Sequence, residues 1–105
     1  MKELNPQLQK EAFIKQADFL KSNSETNVVM AAFTDNVGTE AYLLPLSQRR
    51  VESVAKYLEQ QDVGMDQMAL QWYGQTNPID DNSTPEGRAN NRRVEVAVGG
   101  MYFVL

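Results

Sequence analysis

An aspartate and an arginine fifteen residues apart, Asp35 and Arg50, are the side chains of this chain best placed to hold a small charged ligand. Asp35 lies in Thr34-Asp35-Asn36-Val37-Gly38, directly after an apolar run, and Arg50 ends Leu46-Ser47-Gln48-Arg49-Arg50. A ligand carrying both an ammonium and a carboxylate needs an acceptor and a donor side by side, and arginine supplies a planar, two-pronged donor for a carboxylate. The same two residues have a plainer reading, a permanent salt bridge that locks a strand end to a helix.

The rest of the composition narrows the chemistry. With 105 residues, of which 42% are apolar, the chain is long enough for one compact domain, and residues 1–105 are expected to form it. Fourteen acidic residues outnumber ten basic ones, so the phosphate-binding stripe of a nucleic-acid groove is not expected. The chain has no histidine and no cysteine, which removes the commonest metal ligands, the thiol nucleophile and the usual neutral-pH base. No cofactor, no metal and no catalysis are expected. Asp80-Asp81 with Glu86 is the one carboxylate cluster a hydrolase could use, and a loop aspartate pair more often stabilises a turn.

The elements that must position Asp35 and Arg50 are legible from periodicity. Asn5-Pro6 is a helix-entry signal, followed by apolar residues at Leu8, Ala12, Phe13, Ala17, Phe19 and Leu20, which predicts an amphipathic helix to about Lys21. The run Val28 to Phe33 has the length and continuity of a strand buried on both faces and central in its sheet. Val51, Val54, Ala55 and Leu58 form the stripe of a second helix, expected from about Leu46 to Gln61 with Pro45 setting its first turn. Met68 to Tyr73 reads as a short strand, Ser83-Thr84-Pro85-Glu86 as the cap of a short helix, and Val94 to Val98 as a strand. The order implies an α+β layer of helices on a mixed sheet. Neither a membrane span nor a signal is visible, which leaves location open.

Several of these segments coincide in order and spacing with one family. Phe33-Thr34-Asp35-Asn36-Val37-Gly38, Ala41-Tyr42, Leu46-Ser47-Gln48-Arg49-Arg50, Val54-Ala55-Lys56-Tyr57-Leu58, Tyr73-Gly74-Gln75-Thr76-Asn77-Pro78 and Glu86-Gly87-Arg88-Ala89-Asn90-Asn91-Arg92-Arg93-Val94-Glu95 resemble the OmpA C-terminal-like domain, over about residues 6 to 98. The resemblance implies a β-α-β-α-β-β two-layer fold with sheet order 1-4-2-3. It also implies a periplasmic location at the cell wall or outer membrane. The implied function is non-covalent binding of the peptidoglycan peptide stem at its diaminopimelate residue, with Asp35 and Arg50 at the positions of the family's ligand clamp.

Other residues divide between ligand and scaffold. Thr34 could offer its hydroxyl or backbone to the ligand, or pack at the strand end. Alternation along Val94, Val96 and Val98 turns one of Arg92 and Arg93 inward, either to line the pocket or to pair with an internal carboxylate; a structural Arg92 and a site-adjacent Arg93 are the favoured assignment. One ring of Trp72-Tyr73 is expected in the core, and Glu86 with Arg88 as a solvated pair. Against the family pattern, Leu43 stands where asparagine is usual, Ala32 where glycine is common, Phe33 where histidine or tyrosine is frequent, and Val51 where alanine often follows the arginine.

The ends also depart from the pattern. Met1 to Asn5 leaves no room for the family's first strand, whereas Gly99-Gly100 leads into the apolar Met101-Tyr102-Phe103-Val104-Leu105. A Gly-Gly link suits a tight hairpin, so the sequence suggests a circular permutant, natural or engineered, in which the last five residues restore the first strand and Met1 and Leu105 lie close together. The plainer alternative is a truncated domain with an extra strand and an open edge that favours a homodimer. The competing function is accordingly a degenerate or engineered module for protein-protein assembly without wall binding.

Overall fold

The computed structural model describes residues 6–105, without the side chains of residues 6–10 and 12. Helices α1 (Pro6–Ser22), α2 (Glu40–Gln60) and the short α3 (Pro85–Asn91) accompany a four-stranded mixed sheet of β1 (Val28–Phe33), β2 (Met68–Trp72), β3 (Arg93–Val98) and β4 (Met101–Val104). The fold is α+β, as the periodicity implies. The Asn5 cap and the position of Met1 lie outside the described residues, as does the packing of Leu8 and Ala12.

The strands run β2-β1-β3-β4, with β1 parallel to β2 and antiparallel to β3, and β3 antiparallel to β4. β4 therefore holds the edge position that the family's 1-4-2-3 order gives to its first strand. Gly99 and Gly100 both take left-handed φ, 54° and 81°, which is what a two-residue turn between right-twisted strands demands. The pairing continues past β4, since Val94 and Leu105 exchange backbone hydrogen bonds at 3.1 and 2.8 Å.

The core lies between the sheet and the two long helices. Val28, Met30 and Ala32 of β1 face Val94, Val96 and Val98 of β3, and Phe13, Ala17 and Leu20 of α1 with Val51, Ala55 and Leu58 of α2 close over them. β1 is central as expected, but it is not buried on both faces. The helices cover one side only, so Val29 is 38% exposed on the other.

Helix α2 begins earlier than the sequence suggests. Thr39 caps it, its hydroxyl accepting the Tyr42 N–H, and Pro45 sits inside the helix rather than at its start. As the sixth helical residue, Pro45 forgoes the one hydrogen bond that an N–H there would give to the Ala41 carbonyl, and the helix continues through it to Gln60. The early start brings Leu43 into the core, at 1% exposure, and carries Ser47 and Arg50 one and two turns further along the same helix.

Candidate functional site

The site forms where β1 ends and α2 passes over it. Asp35 leaves the strand in a turn that its own carboxylate holds, Oδ1 accepting the Val37 N–H at 3.0 Å. Its Oδ2 accepts from Arg92 Nη1 at 2.7 Å. Burial pushes the Asp35 carboxyl up, but the Val37 N–H, the hydrogen bond and charge of Arg92, and the charge of Arg50 together hold it below the usual aspartate range. It is therefore an anion at neutral pH, buried but balanced.

Arg50 is close enough to act on Asp35 through its charge, yet it does not form the permanent salt bridge considered from the sequence. Its Nη1 makes a long, 3.4 Å hydrogen bond to the Phe33 carbonyl, and among the described residues no carboxylate pairs with it at salt-bridge distance. Arg50 thus retains donor capacity for an incoming anion. It lines an open cleft of about 430 Å³ with Ser53, Val54, Arg92, Arg93, Val94 and Leu105. The lining combines cationic with aliphatic side chains.

Of the two adjacent arginines, Arg93 borders the cleft, as alternation favours, but is held throughout by protein groups, while Arg92 reaches Asp35. Arg93 is 4% exposed; its Nε donates to Glu95 at 2.6 Å, Nη1 to the Asn91 carbonyl at 3.2 Å and Nη2 to the Asn77 carbonyl at 2.9 Å. Its guanidinium lies 4.0 Å from the centre of the Phe33 ring, the partner position across β1 and β3, and Phe33 in turn stacks on Tyr73. The segment after β2 folds over this end of the uncovered sheet face, so a residue pointing away from the helices is buried all the same. Arg93 borders the cleft with its hydrogen-bonding groups already engaged. Arg92, on the helix side of the strand end, is the one that reaches Asp35, with 41% of its side chain exposed. Sequence reasoning placed Arg92 in the scaffold because strand parity does not reveal where a strand stops.

Thr34 also serves the scaffold. At 2% exposure its hydroxyl donates to the Asp35 carbonyl at 2.8 Å, and its N–H donates to the Gly74 carbonyl at 2.7 Å. Gly74 is held from the helix: its N–H donates to Ser47 Oγ at 3.0 Å, and that hydroxyl donates to the Leu44 carbonyl at 2.7 Å. The chain from Ser47 through Gly74 to Thr34 fixes the strand end that carries Asp35. Gly74 has φ 61°, a left-handed conformation that favours glycine. The loop beyond is pinned by Asn91, fully buried, whose Oδ1 accepts from Ile79 and Asp80 N–H groups and whose Nδ2 donates to the Asp80 carbonyl and Asn82 Oδ1.

The Asp80-Asp81 cluster is turn chemistry. Asp80 accepts from Asn90 and from the Asp81 N–H, Asp81 accepts from the Ser83 N–H, and these bonds hold both carboxyls below the usual range. A general acid would need one of them raised. Arg88 donates to the Asn82 carbonyl and forms no ion pair with Glu86. Trp72 and Tyr73 are 36% and 39% exposed, so neither ring is the core residue expected of that pair.

This arrangement of helices on a mixed sheet has counterparts in known proteins. The OmpA family model matches residues 2–92. The chain belongs to the OmpA family. The peptidoglycan-binding protein ArfA of Mycobacterium tuberculosis is 46% identical over 82 residues, 78% of this chain and 25% of that protein. Outer membrane porin F of Pseudomonas fluorescens is 43% identical over 82 residues, again 78% of the chain and 25% of the porin. This OmpA-family chain thus spans about a quarter of the length of those curated relatives. Among solved structures, the peptidoglycan-associated lipoprotein of Burkholderia pseudomallei superposes with a TM-score of 0.79 at 29% identity, covering 91% of this chain and 80% of that one. The C-terminal domain of Helicobacter pylori MotB gives a TM-score of 0.73 at 27% identity, covering 91% and 74%. No described helix is long and apolar enough to cross a membrane.

Proposed function

We propose that this OmpA-family chain binds peptidoglycan non-covalently, gripping the free ammonium and carboxylate of a diaminopimelate residue in the peptide stem, and that it anchors its parent protein to the wall in the periplasm without catalysis. The observation that carries the reading is a buried, ionised Asp35 beside an Arg50 whose donors are not engaged by any carboxylate among the described residues. An ammonium and a carboxylate on one carbon match that pair in charge and in hydrogen-bonding sense. Relatives described as peptidoglycan-binding and peptidoglycan-associated support the substrate class. Thr34 and Arg93 hold the clamp in place rather than touch the ligand. Sedimentation with insoluble peptidoglycan is the test: the wild-type chain is expected in the pellet, and Asp35→Ala and Arg50→Ala in the supernatant with circular dichroism unchanged. Pelleting of both variants at the wild-type level refutes the assignment.

A second reading, assembly with a second copy through the sheet, is favoured by the uncovered row Val29, Ala97 and Tyr102. Elution as a monomer at high concentration in size exclusion removes it.

A further inference from the structure

We propose that Arg92 is the selectivity residue of this site: it occupies Asp35 in the ligand-free protein, yields that carboxylate to a ligand ammonium, and then receives a second carboxylate of the same ligand. The proposal rests on the peptidoglycan reading and deepens it. Both oxygens of Asp35 are in use, Oδ1 by the Val37 N–H that shapes the turn and Oδ2 by Arg92. A ligand ammonium must therefore compete with Arg92. The competition is mild, because the Arg92 side chain is 41% exposed and its guanidinium has no other hydrogen bond among the described residues. The Asp35 carboxylate is buried, but the Arg92 guanidinium can move toward solvent as a ligand ammonium takes its place, so Asp35 keeps a counter-charge throughout.

Charge then fixes what the ligand must bring. Asp35, Arg50 and Arg92 sum to one net positive charge, and the neighbouring Arg93 and Glu95 neutralise each other. The complement is one ammonium with two carboxylates, not a simple zwitterion. Arg50 and Arg92 border the same cleft, with Val54, Val94 and Leu105 beside them, so a ligand whose two charged ends are joined by an aliphatic spacer fits the lining. In a peptide stem, diaminopimelate presents one free ammonium and one free carboxylate on its outer carbon. Its other carboxylate is free only where the stem ends at that residue. The site accordingly prefers stems that terminate at diaminopimelate over those that continue past it.

The test is isothermal titration of wild type and Arg92→Gln with two probes, L-alanyl-γ-D-glutamyl-meso-diaminopimelate and the same tripeptide amidated at its stem-end carboxylate. Wild type is expected to bind the free acid about tenfold more tightly, the ratio one charge-assisted contact near a surface supplies. Arg92→Gln is expected to bind both equally, and the amide at least as tightly as wild type does. Equal affinities in wild type, or a preference that survives Arg92→Gln, overturn the proposal while leaving diaminopimelate recognition standing. No binding of either probe to folded wild-type protein overturns both.

Discussion

Replacing Ser47 by alanine tests how the helix positions the clamp. Ser47 is fully buried, and its hydroxyl is the acceptor for the Gly74 N–H at 3.0 Å. Leu44 loses only a second partner when the hydroxyl goes, but Gly74, itself buried, is left with an N–H that neither protein nor water satisfies. An orphaned buried donor of this kind costs about 1–3 kcal/mol. The small cavity left by one oxygen adds little to that. The consequence reaches the site because Gly74 also receives the Thr34 N–H through its carbonyl, and Thr34 is bonded to the Asp35 carbonyl. Urea unfolding of Ser47→Ala should show a lower midpoint with an unchanged slope, the signature of lost stability without a change in exposed surface. Backbone amide NMR of the same variant should show shifts at Gly74, Thr34 and Asp35 as well as at position 47. A midpoint equal to wild type, or shifts confined to the helix around residue 47, would refute this account of how Asp35 is held.

Other residues make separate claims. Asn91→Ala orphans the N–H groups of Ile79 and Asp80 together and should destabilise by about 2 kcal/mol or more in the same unfolding assay, with the segment 77–82 gaining hydrogen exchange. Arg93→Met leaves Glu95 without its partner and removes the cation from the Phe33 ring, a loss of about 3 kcal/mol by thermal or urea unfolding, whereas Arg92→Gln should cost less than about 1 kcal/mol. Because the folded Asp35 carboxyl lies below its unfolded value, its contribution to stability is full above the unfolded aspartate value of about 4 and is lost as pH falls through the folded value. Stability measured from pH 7 down to pH 2 should therefore fall less steeply in Asp35→Asn than in wild type. Gly87→Ala would drive its methyl group into the Asp81 backbone, so it should lower the melting temperature far more than Ala89→Gly, whose exposed position costs only helix propensity, about 1 kcal/mol.

Much of this molecule is written in local patterns. Continuous apolar runs, a 3.6-residue stripe at Val51, Ala55 and Leu58, and the Thr84-Pro85 cap each read correctly because the physics that sets them is local. The paired glycines before β4 announced a hairpin for the same reason. What failed depends on distant chain. Pro45 looked like a helix start because proline is tolerated there, yet Thr39 captures an N–H six residues earlier and the helix runs through the proline. Val29 looked buried because an apolar run does not say how many layers cover it. The burial of Arg93 and the reach of Arg92 to Asp35 are not legible in strand parity, because the partners of Arg93, Asn77 and Phe33, come from two other parts of the chain. The double use of Ser47, as helix residue and as acceptor for Gly74, left no mark beyond the Leu-Ser-Gln-Arg-Arg motif itself.

The central claim is that Asp35 and Arg50 form a clamp for diaminopimelate, and titration of isotope-labelled protein with meso-diaminopimelate tests it most directly. Amide shifts centred on Asp35, Val37, Arg50 and Arg92, saturating with a single dissociation constant, are predicted. A folded protein whose spectrum stays unchanged, or whose shifts gather on the uncovered sheet face around Val29 and Ala97, would contradict it.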